Sequence, residues 1–236
     1  MKVNKINIQK LKSIQFEISK SVYLPSEFFH LDYFQFLVGI DLAFIGCTGI
    51  ASFAVFDTLK KEISYFYEIS EVNFPYIPSF LAFRELPLIN KLYERMKSDF
   101  LGNRSNRSLF FIDGHGLSHP RKAGIATHFG VVNNNVSIGI AKKLLYGKFK
   151  EPYFLDNHNI HISEVIDEGS YPIAFAVKTS YLGRKDIMGT KTLFISVGNN
   201  INLDNSLELF LDIYRNYGFV LTELAHNYLQ KIKKKI

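Results

Sequence analysis

The chain has 236 residues, of which 47% are hydrophobic and 21% are charged, a balance typical of globular proteins that bury a sizeable core. Lys and Arg number 28 against 22 Asp and Glu, so the net charge is +6, which suits a polyanionic partner such as nucleic acid without requiring one. The single cysteine, Cys47, excludes an internal disulfide and a cysteine zinc cluster. This cysteine content is compatible with a reducing compartment, and we expect a cytoplasmic location.

The N-terminal segment is basic and alternates apolar with polar residues. It therefore lacks the continuous apolar core of a signal peptide. Its apolar positions instead predict an amphipathic helix around Ile6, Leu11, Ile14 and Ile18.

One apolar stretch, residues 34–56, has the length of a bilayer crossing. Asp41 lies inside this stretch, at a cost of about 3 kcal/mol at mid-membrane, and glycines at positions 39, 46 and 49 interrupt it. Both halves are rich in β-branched and aromatic residues, which favours two buried strands joined by the turn IGCTG. No membrane association is predicted.

Three strands are predicted in this region and just after it, at Phe36–Phe44, Ile50–Thr58 and Glu62–Ser70. The turns between them are short, as in an antiparallel meander. Pro75 and Pro78 follow in the sequence NFPYIPSF, where they exclude regular helix and hold a tyrosine on a stiff extended loop.

After this loop, apolar spacing predicts a helix from about Phe83 to Phe100. The strand Ser108–Asp113 follows, too distant from the meander to be another hairpin partner, and is predicted to lie parallel to the first strand. The segment VSIGIAKKLLYG predicts a short strand that enters a helix at Ala141. The remaining predicted elements are strands at Ile173–Thr179 and Thr192–Val197 and helices at Leu203–Tyr217 and from about Thr222.

The sequence contains no internal repeat, low-complexity tract or Pro/Gly/Ser linker. Residues 1–236 are therefore predicted to form a single domain. A meander, a helix and then alternating strands and helices predict an α/β fold with a mixed sheet that is covered by helices on both faces.

Three carboxylates lie in comparable places on these elements. Asp41 is inside the first buried strand, Glu85 lies near the start of the helix after the proline loop, and Asp113 ends the fourth strand. A buried carboxylate requires a partner, because desolvation otherwise favours its neutral form. If the first and fourth strands are neighbours, Asp41 and Asp113 converge and Glu85 can reach them. Such an oxygen-only cluster is what Mg²⁺ or Mn²⁺ requires.

Each of these carboxylates also has an ordinary structural explanation. Asp41 can be a hydrogen-bonded core residue, and Glu85 can be a favourable charge near a helix N-terminus. Asp113 can be a turn residue, since Asp and Gly are common where a strand stops. Spacing alone leaves both explanations open, because it does not show that the three side chains meet.

The motifs of the chain, taken together, resemble those of the endonuclease V family, DNA-repair nucleases that act at deaminated adenine. The matching stretches come in the family's order, at about its spacing, and span nearly the whole chain. They are VGIDLAF (38–44), FPYIPSFLAFRE (74–85), DGHGLSHPRKAGIATHFG (113–130), IGIAKKLLYG (138–147), ISVGN (195–199) and ELAH (223–226).

This resemblance implies a ribonuclease H-like fold, in which an antiparallel three-strand meander and parallel strands form one mixed sheet flanked by helices. It also implies Mg²⁺-dependent nicking at the second phosphodiester bond 3′ to deoxyinosine, leaving 3′-hydroxyl and 5′-phosphate ends, with Mn²⁺ as an alternative metal. By motif position, Asp41, Glu85 and Asp113 are implied to bind the metal and to act in catalysis. Lys142 and His226 correspond to the family's active-site lysine and to its histidine near the metal.

The resemblance also implies the contacts with DNA. Tyr76 matches the family's strand-separating wedge, and an aromatic side chain on a stiff loop can fill the space left by an extruded base. The other implied substrate-binding residues are Ser79, Leu81, Gly114, Gly116, His119, Arg121 and His128. Without the resemblance, Tyr76 is more simply a core residue, Arg121 a solvated one, and His226 a structural histidine.

Two residues depart from the family's pattern. Ser79 replaces the glycine usual after PYIP, which adds a side chain where the backbone would approach the base. Asn199 replaces the histidine usual after SVG, which puts a supporting contact in doubt. Extra sequence at Ser180–Thr192 predicts a basic surface loop.

The leading prediction is a monomeric enzyme that acts on DNA containing deoxyinosine. A second hypothesis is a nuclease of the same fold that prefers inosine-containing RNA or branched or mismatched DNA. A third is a nucleic-acid-binding protein that has lost catalysis. The complete set of three carboxylates and Lys142 argues against the third, because a protein that only binds has no need of clustered carboxylates facing phosphate.

Overall fold

The computed structural model describes residues 6–149, 154–155, 160–179 and 192–236. The α-helices in these ranges are α1 (Ile8–Lys20), α2 (Leu81–Met96), α3 (Ile125–Asn133), α4 (Leu203–Tyr217) and α5 (Leu221–Lys233). The strands are β1 (Phe36–Ile45), β2 (Thr48–Asp57), β3 (Glu62–Glu71), β4 (Ser108–Asp113), β5 (Val136–Ala141), β6 (Phe154–Leu155), β7 (Ile160–Ile166), β8 (Pro172–Thr179) and β9 (Leu193–Asn199).

These strands form one mixed sheet in the order β3-β2-β1-β4-β5-β9-β8-β7-β6. The first three pair antiparallel as the predicted meander, and β4 runs parallel to β1, as predicted. β5 runs parallel to β4, and the other pairings are antiparallel. Because β1, β4 and β5 run in the same direction, their carboxyl ends lie along one edge of the fold, where polar side chains can meet.

Helices cover both faces of the sheet, and the alternating side chains of its strands fill two separate cores. Val38 and Ile40 of β1 pack in the core that α2 and α3 cover. Leu37, one residue before Val38, packs on the opposite face in the core that includes residues of α4 and α5. Because successive side chains of a strand point to opposite faces of the sheet, each side chain of β1 packs against one of the two helix layers in turn.

The close approach of α5 to β1 depends on Gly39. A Cβ atom at this position would lie 2.0 Å from the carbonyl oxygen of Leu221, at the start of α5. Glycine is the residue that permits such contact between two backbones. The approach brings the first turns of α5 over the sheet at the level of Asp41.

The N-terminal helix forms where it is predicted, and Ile6, Leu11 and Ile18 of its predicted apolar stripe are half-buried. Ile14 is 38% exposed and Phe16 is 55% exposed, whereas the fully buried residue of α1 is Gln15. The side-chain amide of Gln15 makes long-range hydrogen bonds, which stabilise the helix against the fold more specifically than its apolar stripe does.

The prediction of a helix at Ala141 is wrong, since β5 ends at Ala141 and non-helical residues follow. Tertiary contacts account for the difference. The carbonyl group of Lys143 accepts a hydrogen bond from His115 at 3.0 Å, and Lys148 pairs with Ile166 as an isolated bridge. Gly147 has φ +95°, outside the helical region. These contacts outweigh the local helix preference of AKKLLYG.

The apolar stretch considered as a possible bilayer crossing contains β1 and β2, as predicted. Within the described ranges, none of the helices combines the length and the apolar character that crossing a bilayer needs. The predicted basic loop at Ser180–Thr192 lies outside the described residues, apart from Thr192.

Candidate active site

Strand pairing brings Asp41 and Asp113 together. In the parallel register of β1 and β4, Ile40 lies opposite Ile112, so the two aspartates follow at matching positions. Both aspartates occupy the face of the sheet that α5 covers, because they have the same parity as Leu37 and Phe111. The first and fourth strands are therefore neighbours, as the clustering of these carboxylates required.

Glu85 joins these aspartates from the second turn of α2. Its side chain is buried, and the residue is only 8% exposed. Burial, followed by repulsion from Asp41 and Asp113, raises the pKa of Glu85 to about 8. Burial and then repulsion from Asp113 likewise raise the pKa of Asp41 to about 6, although His226 opposes the shift. The carboxylates of Asp41 and Asp113 thus lie close enough to Glu85 to disfavour its ionised form.

Two cationic or hydrogen-bonding groups compensate part of this repulsion. His226 Nδ1, on α5, lies 2.8 Å from Asp41 Oδ2. Lys142 follows β5, and its Nζ lies 2.8 Å from Asp113 Oδ2 and 3.2 Å from Glu223 Oε1. Burial by itself would lower the pKa of Lys142, but the two carboxylates outweigh it and raise that pKa above its ordinary value. Lys142 is therefore a fixed ammonium group at neutral pH.

The donor set suits a hard divalent cation, because it consists of carboxylate oxygens whose mutual repulsion such an ion would relieve. The arrangement is not preformed around one ion. Across the described parts of the chain, no three His, Cys, Asp or Glu side chains are grouped as a metal would require. Asp41 Oδ2 instead contacts His226, and Asp113 Oδ2 contacts Lys142.

Tyr76 lies on the surface, in the loop that leads into α2. Its side chain is 67% exposed, so the alternative that it fills the core is wrong. We call residues 74–80 the recognition loop. At its N-terminal end, Arg84 Nη1 donates a hydrogen bond to the carbonyl oxygen of Phe74 at 2.9 Å. Pro75 and Pro78 stiffen the residues on either side of the exposed ring.

The sequence pattern of the Endonuclease V family matches residues 17–226, a range that includes every residue of this cluster and the recognition loop. The chain belongs to the endonuclease V family. The chain is 36% identical over 200 residues to endonuclease V of Thermosipho melanesiensis, covering 84% of this chain and 80% of that protein. It is 36% identical over 223 residues to endonuclease V of Dictyoglomus turgidum, covering 93% and 88%.

Solved structures of endonuclease V share the fold. The Bacillus subtilis protein is 26% identical, with a TM-score of 0.80, and the match covers 99% of this chain and 95% of that one. The Ciona intestinalis protein, solved with a 24mer DNA containing an inosine followed by a ribo-adenosine, is 20% identical, with a TM-score of 0.76 and coverage of 97% and 98%. The predicted ribonuclease H-like fold class is confirmed, and membership of the endonuclease V family identifies the chain as a nuclease.

Packing between elements accounts for two glycines of the family's DGHG motif. A Cβ atom at Gly116 would lie 1.8 Å from the carbonyl oxygen of Val197 in β9. Gly114 has φ +152°, and a Cβ atom there would lie 2.5 Å from Ile125 Cγ2. The approach of a flipped base to these glycines stays a prediction, because backbone packing at Gly116 and the backbone conformation of Gly114 already favour glycine at these positions.

The remaining predicted substrate-binding residues lie around the recognition loop or behind it. His119 and Arg121 both direct nitrogen atoms at Ser79. Leu81, two residues after Ser79, is the half-buried first residue of α2. His128 is only 3% exposed, and its ring meets that of Phe83 edge-on. Burial lowers the pKa of His128 to about 4, so this histidine is neutral and lies in the interior.

The other departure from the family's pattern, Asn199, keeps a supporting role. Its Oδ1 accepts a hydrogen bond from the backbone N–H of Tyr23 at 2.9 Å, and its Nδ2 donates to the carbonyl oxygen of Gly130 at 3.1 Å. The hydrogen bond to Gly130 is buried, whereas the one from Tyr23 is partly buried. Asn199 thereby links the segment after α1 to α3.

Sequence reasoning missed two residues of the site, His115 and Glu223. His115 Nε2 donates to the carbonyl oxygen of Lys143, beside Lys142, and its Nδ1 lies 2.8 Å from Ser118 Oγ. Glu223 shares the ammonium group of Lys142 with Asp113. The available signal for Glu223 was its place three residues before His226, a spacing that puts both side chains on one face of α5.

The raised pKa of Glu85 predicts a pH-dependent stability. In EDTA, we expect Glu85→Gln to raise the free energy of unfolding by a few kcal/mol at pH 9 and by much less at pH 5, since each pKa unit corresponds to about 1.4 kcal/mol. The carboxyl group of Glu85 has a pKa of 4.5 in the unfolded chain and about 8 in the folded one. Its contribution to wild-type stability is therefore fully present below the lower pKa and is lost as pH rises through the higher one.

Thermal unfolding between pH 5 and pH 9 measures this difference, and Glu94→Gln, which changes an exposed glutamate of the same helix, is the control. A stability difference between Glu85→Gln and wild type that stays constant across this pH range would contradict the raised pKa.

Proposed function

We propose that this protein is a divalent-metal-dependent endonuclease that nicks DNA at the second phosphodiester bond 3′ to deoxyinosine and leaves 3′-hydroxyl and 5′-phosphate ends. The observation that carries the proposal is that Asp41 and Asp113 lie at matching positions of adjacent parallel strands, close enough to Glu85 to raise its pKa. The ammonium group of Lys142 contacts Asp113 in this cluster. Clustered carboxylates beside a fixed cation are expected where a phosphodiester is hydrolysed.

The carboxylates of Asp41, Glu85 and Asp113 would hold Mg²⁺ or Mn²⁺. When bound, such an ion activates water and stabilises charge on the phosphate. The protein's own groups support this chemistry. His226 Nδ1, at 2.8 Å, fixes the orientation of the Asp41 carboxylate. Lys142 presents a positive charge that can stabilise a phosphate oxygen as its negative charge grows during hydrolysis.

In the proposed reaction, the enzyme takes the altered base out of the stack. Unstacking and unpairing a base costs a few kcal/mol, and this cost is smallest for a mispaired base. An aromatic side chain that enters the vacated space offsets part of this cost. Tyr76 suits this role because its ring is exposed and its loop is stiffened by Pro75 and Pro78. The proposed substrate is therefore a duplex in which one strand is opened at the lesion.

The proposal is tested by nicking assays on matched duplexes, one with a single deoxyinosine and one undamaged, in Mg²⁺, in Mn²⁺ and in EDTA. We expect cleavage of the deoxyinosine strand only, with either metal and not in EDTA. Because the proposed ends are a 3′-hydroxyl and a 5′-phosphate, a DNA ligase should be able to seal the nick. A preference for undamaged flaps or branched DNA would exclude the proposed specificity.

An inosine-containing RNA is the second candidate substrate, because the DNA bound by the Ciona intestinalis relative carries a ribo-adenosine after its inosine. The same assay therefore includes a DNA strand with one ribonucleotide 3′ to the inosine and an all-RNA strand. Faster cleavage of the all-RNA strand than of the deoxyinosine duplex would favour this second candidate.

Replacing Tyr76 by alanine is expected to weaken binding to the deoxyinosine duplex by about tenfold, the effect of losing one base-stacking aromatic contact. Binding to undamaged DNA should change much less, because no base is extruded there. Binding isotherms in Ca²⁺ measure both affinities. Tyr171→Ala is the matched control, since Tyr171 is 68% exposed and Tyr76 is 67% exposed. Equal losses on both duplexes would exclude the wedge role.

A further inference from the structure

The recognition loop is held at both ends, and Tyr76 lies between the two anchors. The first anchor is the hydrogen bond from Arg84 to the carbonyl oxygen of Phe74. The second anchor is Ser79, on which three residues from two other segments converge. A loop fixed at both ends can present an exposed ring at one place, which a freely moving loop cannot do.

Ser79 has an unusual backbone conformation that the second anchor maintains. Its φ of +63° lies in the left-handed region, where a residue with a Cβ atom is strained. A glycine would adopt this conformation without that strain. A strained residue persists only where its surroundings determine its conformation, so the contacts of Ser79 must hold it in this conformation.

The contacts of Ser79 are unusually dense. Its carbonyl oxygen accepts hydrogen bonds from Gln15 Nε2 at 2.8 Å, from Arg121 Nη2 at 2.8 Å and from His119 Nε2 at 3.0 Å. Its hydroxyl oxygen lies 2.6 Å from Arg121 Nη2. The serine side chain therefore adds a contact to a guanidinium group that glycine could not make.

Gln15 connects this anchor to α1. It is fully buried, whereas Ile14 and Phe16 on either side are exposed. Its amide nitrogen donates to the carbonyl oxygen of Ser79, and its amide oxygen accepts from Arg121 Nε. A buried amide that lacked these partners would destabilise the fold. Both the nitrogen and the oxygen of the Gln15 amide therefore depend on hydrogen bonds within the second anchor.

We propose that Gln15 is a positioning residue for Tyr76: through Ser79 and Arg121, α1 holds the recognition loop in the conformation that inserts the tyrosine into DNA. The part of this inference that concerns DNA rests on the proposed function. The part that concerns the loop does not, because it is a property of the protein without substrate.

Hydrogen exchange of the DNA-free protein tests the loop directly. In Gln15→Met, which keeps the length of the side chain but removes its hydrogen bonds, we expect amide exchange in the peptide 74–83 to become about five- to tenfold faster, the effect of losing one or two hydrogen bonds. Phe80 is the most informative amide, because its N–H bonds to the carbonyl oxygen of Ile77 inside the loop. Gln9→Met, on the exposed side of α1, should leave exchange unchanged.

A second variant separates loop anchoring from a general loss of folding. Gln15→Glu retains an acceptor for Arg121 but loses the donor to Ser79, so it should also speed exchange in the peptide 74–83. Melting temperatures and exchange in β4 and β5 identify any global destabilisation. Exchange in 74–83 that matches wild type in either folded variant would overturn the proposal.

A double-mutant cycle with Tyr76→Ala tests the functional consequence. If Gln15 acts through Tyr76, Gln15→Met raises KM for the deoxyinosine duplex about fivefold, leaves kcat nearly unchanged, and has no further effect once Tyr76 is alanine. An equal loss in both backgrounds would overturn the role. If wild-type protein shows no preference for deoxyinosine, the proposed function fails, while the exchange experiment still decides whether Gln15 anchors the loop.

Discussion

Replacing Asp113 by alanine is expected to reduce the single-turnover nicking rate on a deoxyinosine duplex by about 10³-fold or more, while binding to that duplex in Ca²⁺ is largely retained. A catalytic metal contributes several kcal/mol of transition-state stabilisation, and each 1.4 kcal/mol is worth about tenfold in rate. Asp113 ends β4 at the centre of the cluster, so its loss removes one of three carboxylates from the proposed site. Binding depends mainly on phosphate and base contacts elsewhere.

Two further variants make this experiment specific. Asp113→Asn retains the shape of the side chain without its charge and should be nearly as inactive as Asp113→Ala. Asp204→Ala, at the exposed start of α4, should nick as wild type does. Nicking by Asp113→Ala within tenfold of wild type would remove the basis for a metal site at this cluster.

Replacing Lys142 by methionine is expected to lower kcat by about 10²- to 10³-fold, the usual effect of losing one group that stabilises transition-state charge. The ammonium group is held by Asp113 and Glu223, and its raised pKa keeps it protonated. Because the stabilised charge develops during hydrolysis, KM for the duplex should change much less than kcat.

Lys143→Met is the matched control for this variant. Lys143 is the exposed neighbour of Lys142, and it meets His115 through its backbone carbonyl group, which the substitution leaves in place. The control also removes one positive charge, so it reports any general loss of attraction to DNA. If the two variants lose activity equally, Lys142 contributes only to that general attraction.

Much of the fold is readable from local patterns. The strand Ser108–Asp113 is predicted with the bounds that the structure has, because an apolar run of β-forming residues stops at an Asp-Gly turn. The meander is likewise predicted within one or two residues, since its strands alternate and its turns are short. The helix predicted at Ala141 fails, because contacts of Lys143 and Lys148 with distant residues hold that segment in another conformation.

The candidate site was accessible to sequence reasoning only in part. Asp41 and Asp113 are conspicuous because a carboxylate in or at the end of a buried strand needs a partner. Glu223 and Gln15 are not conspicuous, since a charged residue and an amide on amphipathic helices are ordinarily exposed. Their roles depend on what lies across the fold, at Lys142 for Glu223 and at Ser79 for Gln15.

The sequence by itself determined the family, the meander with the strand that follows it and the three acidic residues of the candidate site, because motifs, periodicity and buried charge are local properties of the chain. Only the tertiary structure decided which partners these groups have, that the pKa of Glu85 is raised more than that of Asp41, and that Ser79 is held in a left-handed conformation. Desolvation, ion pairing and backbone strain depend on distances between residues far apart in the chain, and those distances exist only once the chain has folded.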